Sequence, residues 1–552
     1  MSLISRLHHQ LESTPKDQYV EIRTSTSMEE LRRLANLENI PLERLKLVER
    51  LVDGEFGLLD MEENIFYKNA RDPERGFSTY GGTIMVFEDP EVKSYLVKNI
   101  GGESGITNNN YGVPGVKGVA GEVTYEQVLA CKRVDFASNK KVRRFNELEY
   151  FRNLETLRFD RCSELEELSL PYMSLGGYAN WIIFCSKLRK ITTRYGLDVV
   201  GSSTLRGNSK LSELDTSNWT ISSSNTERMF ESCSSLTRLD LRNLEMDNVT
   251  IALNMFSGCS SLQSLDTSKW NLGNLSNGSS MFSGCSSLQS LDTSKWNLGN
   301  LNTAENMFRQ TKITTLDVRD WDLRKLTNTV YMFFQTPLIS LDTSGWVLNN
   351  LSNAEQMFQY CSNLITLGNT SGWGLERLTN ASAMFHQCRS LQSLDTSGWN
   401  LENVTTIRLM FDTCTALTTL GDTSRWNLIR CTDMQSLFSN CNQLTKVDIS
   451  YSSTPMVVTS NLNSTTWSVG NLESLVGDHT ETDNISVFNG YNSTDFDIRN
   501  VVNLNLASIL ATIRGLGTNR TKRKFFTPQG FDKSRIPQEY KTMLENKNWE
   551  LA

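Results

Sequence analysis

The sequence predicts an α/β solenoid, in which short strand–helix coils stack along one axis and share a continuous core. Three observations predict this fold. The segment MFSGCSSLQSLDTSKWNLGNL occupies residues 255–275 and recurs letter for letter at 281–301. A Met-Phe pair recurs every 25 to 27 residues, and Leu, Cys and Trp stand at fixed distances from it. Because a catalytic centre is assembled once, such copying is typical of a part that works by stacking.

The Met-Phe pair defines the register of the coils. Successive pairs are separated by 26, 26, 26, 25, 25, 27, 26 and 27 residues when Leu437-Phe438 is counted as the ninth. The pairs begin at Met229, Met255, Met281, Met307, Met332, Met357, Met384 and Met410. Looser coils precede them, beginning near Arg161 and Phe184.

Each coil contains one strand signal and one helix signal. The pattern L-x-x-L-D-T-S is short, apolar at its anchor positions and bounded by polar residues, which favours a β-strand. The segment before Met-Phe, for example LNTAENMF at 301–308, contains good helix formers after an Asn/Thr start, which favours a short capped helix. Coils of about 26 residues fall within the range of leucine-rich repeats. We therefore expect a right-handed, leucine-rich-repeat-like solenoid over residues 141–452.

A cysteine column and a tryptophan column accompany the repeat. Thr311 and Thr336 replace Cys in two coils, and Leu244 replaces one Trp. We therefore interpret the Cys column as a small buried core position and the Trp column as a large buried core position. The alternatives are metal or redox chemistry for Cys and sugar stacking for Trp. The columns are Cys233, Cys259, Cys285, Cys361, Cys388, Cys414 and Cys441, and Trp219, Trp270, Trp296, Trp321, Trp346, Trp373, Trp399 and Trp426.

An aspartate column follows the second Leu of each strand signal. Stacked carboxylates would repel one another unless each accepts backbone N–H groups at a turn, which is the favoured interpretation. The alternative is a surface column that binds cations or sugars, for which the candidates are Asp266, Asp292, Asp317, Asp342 and Asp395. Asp215, Asp240 and Asp448 complete the column. A ladder of equal environments argues against a catalytic carboxylate pair.

The repeated segment MFSGCSSLQSLDTSKWNLGNL resembles the unit of the BspA-like leucine-rich repeat proteins. The flanks MVFEDPEVKSYLVKN, GEVTYEQVLACKRVDF and FNELEYFRNLETL are similar to the lead-in of members from Bacteroidetes, and the C-terminal residues are similar to their cap. The resemblance covers about residues 85–552. It implies a place among bacterial surface proteins or the tail and virion proteins of gut phages.

Related lead-in segments carry a calcium-like loop, which this chain does not preserve. Val116, Gly118 and Ala120 stand where acidic ligands would fall, and Gln127 stands at the position of a bidentate Glu. Because Ca²⁺ prefers six to eight oxygen ligands, we expect no metal and no cofactor. Thr124 is instead expected to cap the helix that follows.

The flanking segments define the remaining domains. Residues 1–75 are predicted to be a helical attachment domain, with one helix in MEELRRLANLENI and a second in PLERLKLVERLV. Residues 76–140 are a linker and lead-in. Residues 453–552 comprise a Ser/Thr/Asn-rich segment and a mixed α/β C-terminal cap.

Composition excludes several classes of protein. A formal net charge of −7 argues against general nucleic-acid binding, and the short basic run at 520–524 is interpreted as a strand edge. The sequence contains no run of about 18 apolar residues, so it does not predict insertion into a membrane. The N-terminus MSLISRLHHQ lacks an apolar export region, so synthesis in a cytosol is expected.

These observations predict a non-enzymatic protein of a bacteriophage virion, a tail fibre or other exterior structural protein. Its rod would recognise a protein or glycan receptor on the host surface, while residues 1–75 bind other virion proteins. A bacterial cell-surface adhesin is the alternative, and a polysaccharide depolymerase is less favoured. The oligomeric state stays open.

Overall fold

The computed structural model describes a large part of the chain and groups it into two units. One unit comprises residues 1–173 and 190–195, and the other 174–189 and 196–552. The described residues are 19–21, 45–50, 55–60, 65–68, 85–100, 121–151, 153–171, 173–175, 180–193, 197–216, 218–241, 244–423, 426–428, 430–444, 496–497, 506–516 and 522–552.

Short strands dominate the secondary structure of these residues. The α-helices are α1 (Pro90–Asn99), α2 (Tyr125–Ala130), α3 (Leu506–Gly515) and α4 (Gln538–Asn546). The strands are β1 (Tyr19–Glu21), β2 (Leu45–Arg50), β3 (Glu55–Asp60), β4 (Ile65–Lys68), β5 (Arg133–Asp135), β6 (Arg144–Phe145), β7 (Thr156–Asp160), β8 (Glu167–Ser169), β9 (Ser174–Leu175), β10 (Asn180–Ile183), β11 (Lys190–Thr192), β12 (Leu197–Val199), β13 (Glu213–Leu214), β14 (Trp219–Ile221), β15 (Arg238–Leu239), β16 (Ser264–Leu265), β17 (Ser290–Leu291), β18 (Phe496–Asp497), β19 (Arg523–Phe526) and β20 (Trp549–Leu551). Single 3₁₀ turns cover Asn146–Tyr150, Ser371–Trp373 and Lys533–Arg535.

The first strands form an antiparallel sheet in the order β1-β2-β3-β4. The second helix predicted for the N-terminal domain is therefore wrong, since Leu45–Arg50 is a strand that pairs with Glu55–Asp60. The sequence between them contains Asp53-Gly54, a pair favoured in hairpin turns, and this signal outweighs the helix-like charge pattern. The first predicted helix lies outside the described residues.

The lead-in contains α1 and α2, each with a side-chain N-cap. Asp89 accepts from Glu91 N, and Thr124 forms a capping box with Gln127, whose side chain accepts from Thr124 N at 2.9 Å. Gln127 is therefore used as a helix-capping residue. Val116, Gly118 and Ala120 lie outside the described residues.

Parallel strands of the first unit already follow a solenoid register. β5 pairs with β7, and β8 pairs with β6 and with β11. Glu167 lies opposite both Arg144 and Lys190, so each of these coils is 23 residues long.

The second unit contains the 26-residue coils. β15, β16 and β17 are parallel, with Leu239, Leu265 and Leu291 in register. A second line of parallel bridges runs through later coils, from Asn225 to Ile251, Asn277, Thr303, Asn328, Asn353, Asn380, Thr406 and Asp433. Its intervals repeat those of the Met-Phe pairs, so the predicted register is the observed one.

The helix predicted before each Met-Phe pair is absent, and this part of the fold prediction is wrong. The residue before Met and the third residue after it adopt positive φ, as at Ser280 (φ 55) and Gly284 (φ 71). A helix needs negative φ throughout. The backbone N–H groups instead bond to the next coil, as in Phe256 N to Met281 O at 2.9 Å. Inter-coil bonding therefore overrides the helix propensity of Ala, Glu and Met.

Stacking predicts that one duplicate coil is dispensable. Deleting residues 255–280 joins Asn254 to Met281 and restores the same register, so the protein should fold and unfold cooperatively. Chemical denaturation followed by circular dichroism measures this. A deletion of 255–267 alone should destroy cooperativity because it removes half a coil. Loss of cooperative unfolding in the full-coil deletion would contradict the stacking account.

The C-terminal residues combine helices and strands. β18, β19 and β20 form a parallel sheet in that order. Tyr540 and Leu544 of α4 are buried. Arg514 of α3 hydrogen-bonds to the Tyr540 hydroxyl, and its carbonyl accepts from Lys547 Nζ at 2.7 Å. Residues 523–526, which include part of the short basic run, form β19.

Candidate functional site

The cysteine column lies in the core of the second unit. Every member is buried and reduced, and the thiols donate to backbone carbonyls of the preceding coil, as in Cys285 Sγ to Phe256 O at 3.1 Å. Burial raises the pKa of the Cys285 thiol to about 12. Thr336 takes a Cys place and donates its hydroxyl to Phe308 O at 3.0 Å. These groups therefore act as small hydrogen-bonded core residues, since a nucleophile or metal ligand needs the thiolate.

The tryptophan column is also internal. No member exceeds 2% exposure. Consecutive rings from Trp270 to Trp399 stack with centroids 5.4–6.4 Å apart. The Phe residues of the Met-Phe pairs form a second stack from Phe230 to Phe438, at 5.3–5.8 Å. Sugar stacking on the Trp column is excluded because the rings are buried, with at most 2% of each residue exposed.

The aspartate column lies at the surface and closes turns. Asp292 Oδ1 accepts from Ser294 N at 3.1 Å and from Ser294 Oγ at 2.6 Å. Asp266 and Asp342 accept the same two hydrogen bonds, from the backbone N–H and the hydroxyl of the serine two positions later. Asp395 accepts only the backbone N–H of that serine. At Asp317 the Arg319 guanidinium pairs with the carboxylate and lowers the pKa of Asp317. Asp448 lies outside the described residues.

In most coils a threonine follows the Asp, with Leu241 and Val318 as exceptions, and these threonines form a ladder that sequence reasoning missed. Thr267 Oγ1 donates to Asp292 O at 2.6 Å, and Thr343 Oγ1 donates to Leu367 O at 2.7 Å. These hydroxyls are buried and satisfy carbonyls between coils. The repeated D-T-S triplet carried this signal.

One exposed surface is formed by the two residues between the Leu residues of each L-x-x-L pattern. We call it the exposed strand surface. It is polar except at Ile339 and Ile365, which are adjacent across coils and 45% and 39% exposed. Its members are Gln263, Ser264, Gln289, Ser290, Thr314, Thr315, Ile339, Ser340, Ile365, Thr366, Gln392, Ser393, Thr418 and Thr419.

A second surface, the turn row, follows the turns around the Met-Phe pairs. Its rings meet edge to face: Tyr331 with Phe334 at 5.3 Å, Phe334 with Tyr360 at 5.5 Å, and Tyr360 with His386 at 5.5 Å. Its members are Arg309, Tyr331, Phe334, Tyr360, His386 and Asp412.

Charged groups stand at the two ends of the turn row. The Arg309 guanidinium lies 5.2 Å from the Tyr331 centroid and 5.1 Å from that of Phe334. His386 Nδ1 lies 3.0 Å from Asp412 Oδ2. Contacts with His386 and Thr413 help to lower the pKa of Asp412 although burial opposes them.

Sequence reasoning missed the turn row. The available signal was a break in the repeat. The duplicated coils have Ser-Gly at the second and third positions after Met, whereas later coils have Arg-Gln, Phe-Gln, Gln-Tyr and His-Gln.

Across the described ranges, no three His, Cys, Asp or Glu side chains are grouped so that they could hold a metal ion. Among those residues, no helix combines the length and the apolar character that crossing a membrane requires.

Two family profiles match the repeat region. Residues 132–245 match the BspA type Leucine rich repeat region (6 copies). Residues 202–315, 254–367 and 363–466 match a family described as Mycoplasma protein of unknown function, DUF285. No curated protein matches the chain.

Solved structures give only distant likenesses. A leucine-rich repeat protein from Bacteroides ovatus is 15% identical, with 72% of this chain and 87% of that chain covered and a TM-score of 0.31. A leucine rich cell surface protein from Faecalibacterium prausnitzii is 14% identical, with 54% and 89% covered and a TM-score of 0.21. At these scores neither likeness carries an argument. The profile match and the parallel coils lead to one conclusion: the chain contains a BspA-type leucine-rich repeat region.

Proposed function

We propose that this chain is a non-enzymatic recognition protein whose solenoid binds a protein or glycan at a bacterial surface. One observation carries the proposal. Most buried positions keep the same residue type from coil to coil, whereas the positions of the exposed strand surface and of the partly buried turn row change. Core positions are constrained by packing, so variation concentrated in these two surfaces favours a surface adapted to a partner.

The exposed strand surface has the composition of an interaction surface. Gln and Ser of the duplicated coils give way to Thr314, Ile339 and Ile365 in the middle coils. Two adjacent exposed Ile side chains within a polar surround give this surface an apolar centre that a partner can cover.

We further propose that a bacteriophage particle carries the solenoid, with residues 1–75 binding other virion proteins. A bacterial cell-surface adhesin is the alternative. The family resemblance supports both carriers.

Saturable binding of the purified full chain to bacterial cells tests recognition. Fluorescently labelled protein is incubated with gut Bacteroidetes cells, and excess unlabelled protein serves as competitor. We expect binding that saturates and is displaced. The same signal with and without competitor on every strain tested would overturn the proposed function.

Peptide mass spectrometry decides the carrier. Phage particles purified by density gradient are compared with envelope fractions of uninfected cells. Peptides at a fixed ratio to known virion proteins support the phage proposal. Peptides confined to the envelope fraction would replace it with the adhesin.

A further inference from the structure

We propose that the turn row binds a neutral glycan chain laid along the stacking direction of the coils. The inference rests on the proposed function and names the ligand class and the site. The row is distinct from the Trp and Asp columns, whose side chains are engaged in packing and in turns.

Partly exposed rings supply the apolar part of the site. Tyr331 and Phe334 belong to one coil and Tyr360 to the next, and all three remain half-buried, whereas the Phe residues of the Met-Phe pairs are fully buried. From coil to coil the ring centroids are separated by 5.5 Å, between Phe334 and Tyr360 and between Tyr360 and His386, a distance comparable with the length of one sugar residue. A sugar presents apolar C–H faces as well as hydroxyl groups, so a line of rings can contact successive residues of a polymer.

Glutamine side chains supply the polar part. Gln310 Nε2 donates to Gln335 Oε1 at 2.9 Å, and Gln387 follows in a later coil. Gln310 and Gln335 are exposed, and Gln387 is half-buried. An amide both donates and accepts hydrogen bonds, as does a sugar hydroxyl. Amides that border rings therefore match a ligand rich in hydroxyls.

The charges of the row are engaged internally. The Arg309 guanidinium lies over the rings of Tyr331 and Phe334, and His386 faces Asp412. Both ends are therefore occupied by contacts within the row, which favours an uncharged ligand over a strongly acidic or basic one.

Coil-matched substitutions test the inference. The row variant Tyr331→Asn/Phe334→Ser/Tyr360→Gly installs residues that the duplicated coils already accommodate, so it should fold. The control variant Lys325→Asn/Val347→Asn makes the same kind of exchange at exposed positions that belong to neither surface, since the duplicated coils have Asn at both positions. Urea unfolding shows whether both variants are folded. If the row variant fails to fold, the single variant Tyr360→Gly replaces it.

The probes are immobilised dextran, mannan, β-glucan and galactan. We expect the wild-type full chain to bind at least one of them, the row variant to bind it roughly tenfold more weakly, and the control to be unchanged. Absence of binding to every polysaccharide, or equal binding by a folded row variant, would overturn the glycan assignment.

Treated cells separate this inference from the proposed function. If periodate oxidation of bacterial cells abolishes binding and protease treatment does not, a glycan ligand is supported. If protease alone abolishes it, the recognition function stands and the glycan inference fails. If untreated cells bind nothing, the proposed function itself fails.

Discussion

Raising the pH above about 9 is expected to destabilise the solenoid steeply. Burial raises the pKa of Cys233, Cys285, Cys361 and Cys441 to about 12, and that of Cys259, Cys388 and Cys414 well above its ordinary value. Because the thiol pKa is higher in the folded than in the unfolded state, the neutral buried thiols stabilise the fold fully below the unfolded-state pKa. This stabilisation is lost as the pH rises toward the folded-state pKa. Each thiol loses up to about 1.4 kcal/mol of stabilisation per pH unit in that window, and all seven losses act in the same direction.

Urea midpoints measured across this pH window test the effect. The matched control is Cys259→Thr/Cys285→Thr/Cys361→Thr, because Thr311 and Thr336 already occupy the same position in other coils. Its loss of stability should be smaller by up to about 4 kcal/mol per pH unit. Parallel pH profiles for the wild type and this variant would show that the thiols are not responsible.

Replacing Trp321 by Ala is expected to lower the free energy of unfolding by about 3–5 kcal/mol. Its ring stacks at 5.9 Å from Trp296 and at 6.1 Å from Trp346, and it is 2% exposed. The substitution would leave a cavity that neighbouring coils cannot close without losing their own register. Denaturant unfolding measures the loss, and limited proteolysis locates it.

Trp321→Leu is the control for this position. Leu244 occupies the corresponding site in an earlier coil and is 2% exposed, so the coil accommodates Leu there. The Leu variant should lose clearly less stability than the Ala variant. Equal midpoints for Trp321→Ala and the wild type would mean that the stack does not stabilise the fold.

The register was predictable because it depends on buried side chains. Met255, Phe256 and Leu262 are fully buried, and only one spacing brings each onto its counterpart in the next coil. The intervals between Met-Phe pairs therefore equal the intervals between the bridges.

The conformation between these residues was not predictable from helix propensity. Gly258 and Gly284 indicated left-handed backbone, but Ser280 and Asn306 at the other turn position adopt positive φ without that signal. Bonds between coils, such as Ser280 N to Glu305 O at 2.7 Å, determine the local geometry and exist only in the stacked state.

The turn row was missed because its members are far apart in the sequence. Arg309 and Asp412 are separated by several coils, and no motif joins them. The members of the turn row are identified only when one coil is compared with the next. The duplicated coils have Ser-Gly at these positions, so the fold does not require the larger side chains found in later coils.

Buried positions build the solenoid, and we propose that the exposed strand surface and the turn row recognise a partner. An exchange variant tests it most directly. Every position of the exposed strand surface and the turn row in residues 307–419 takes the residue of the duplicated coils, and every other position is unchanged. Cell binding and the urea midpoint are then measured together. The account predicts an unchanged midpoint and loss of binding, whereas full binding by the folded variant would contradict it.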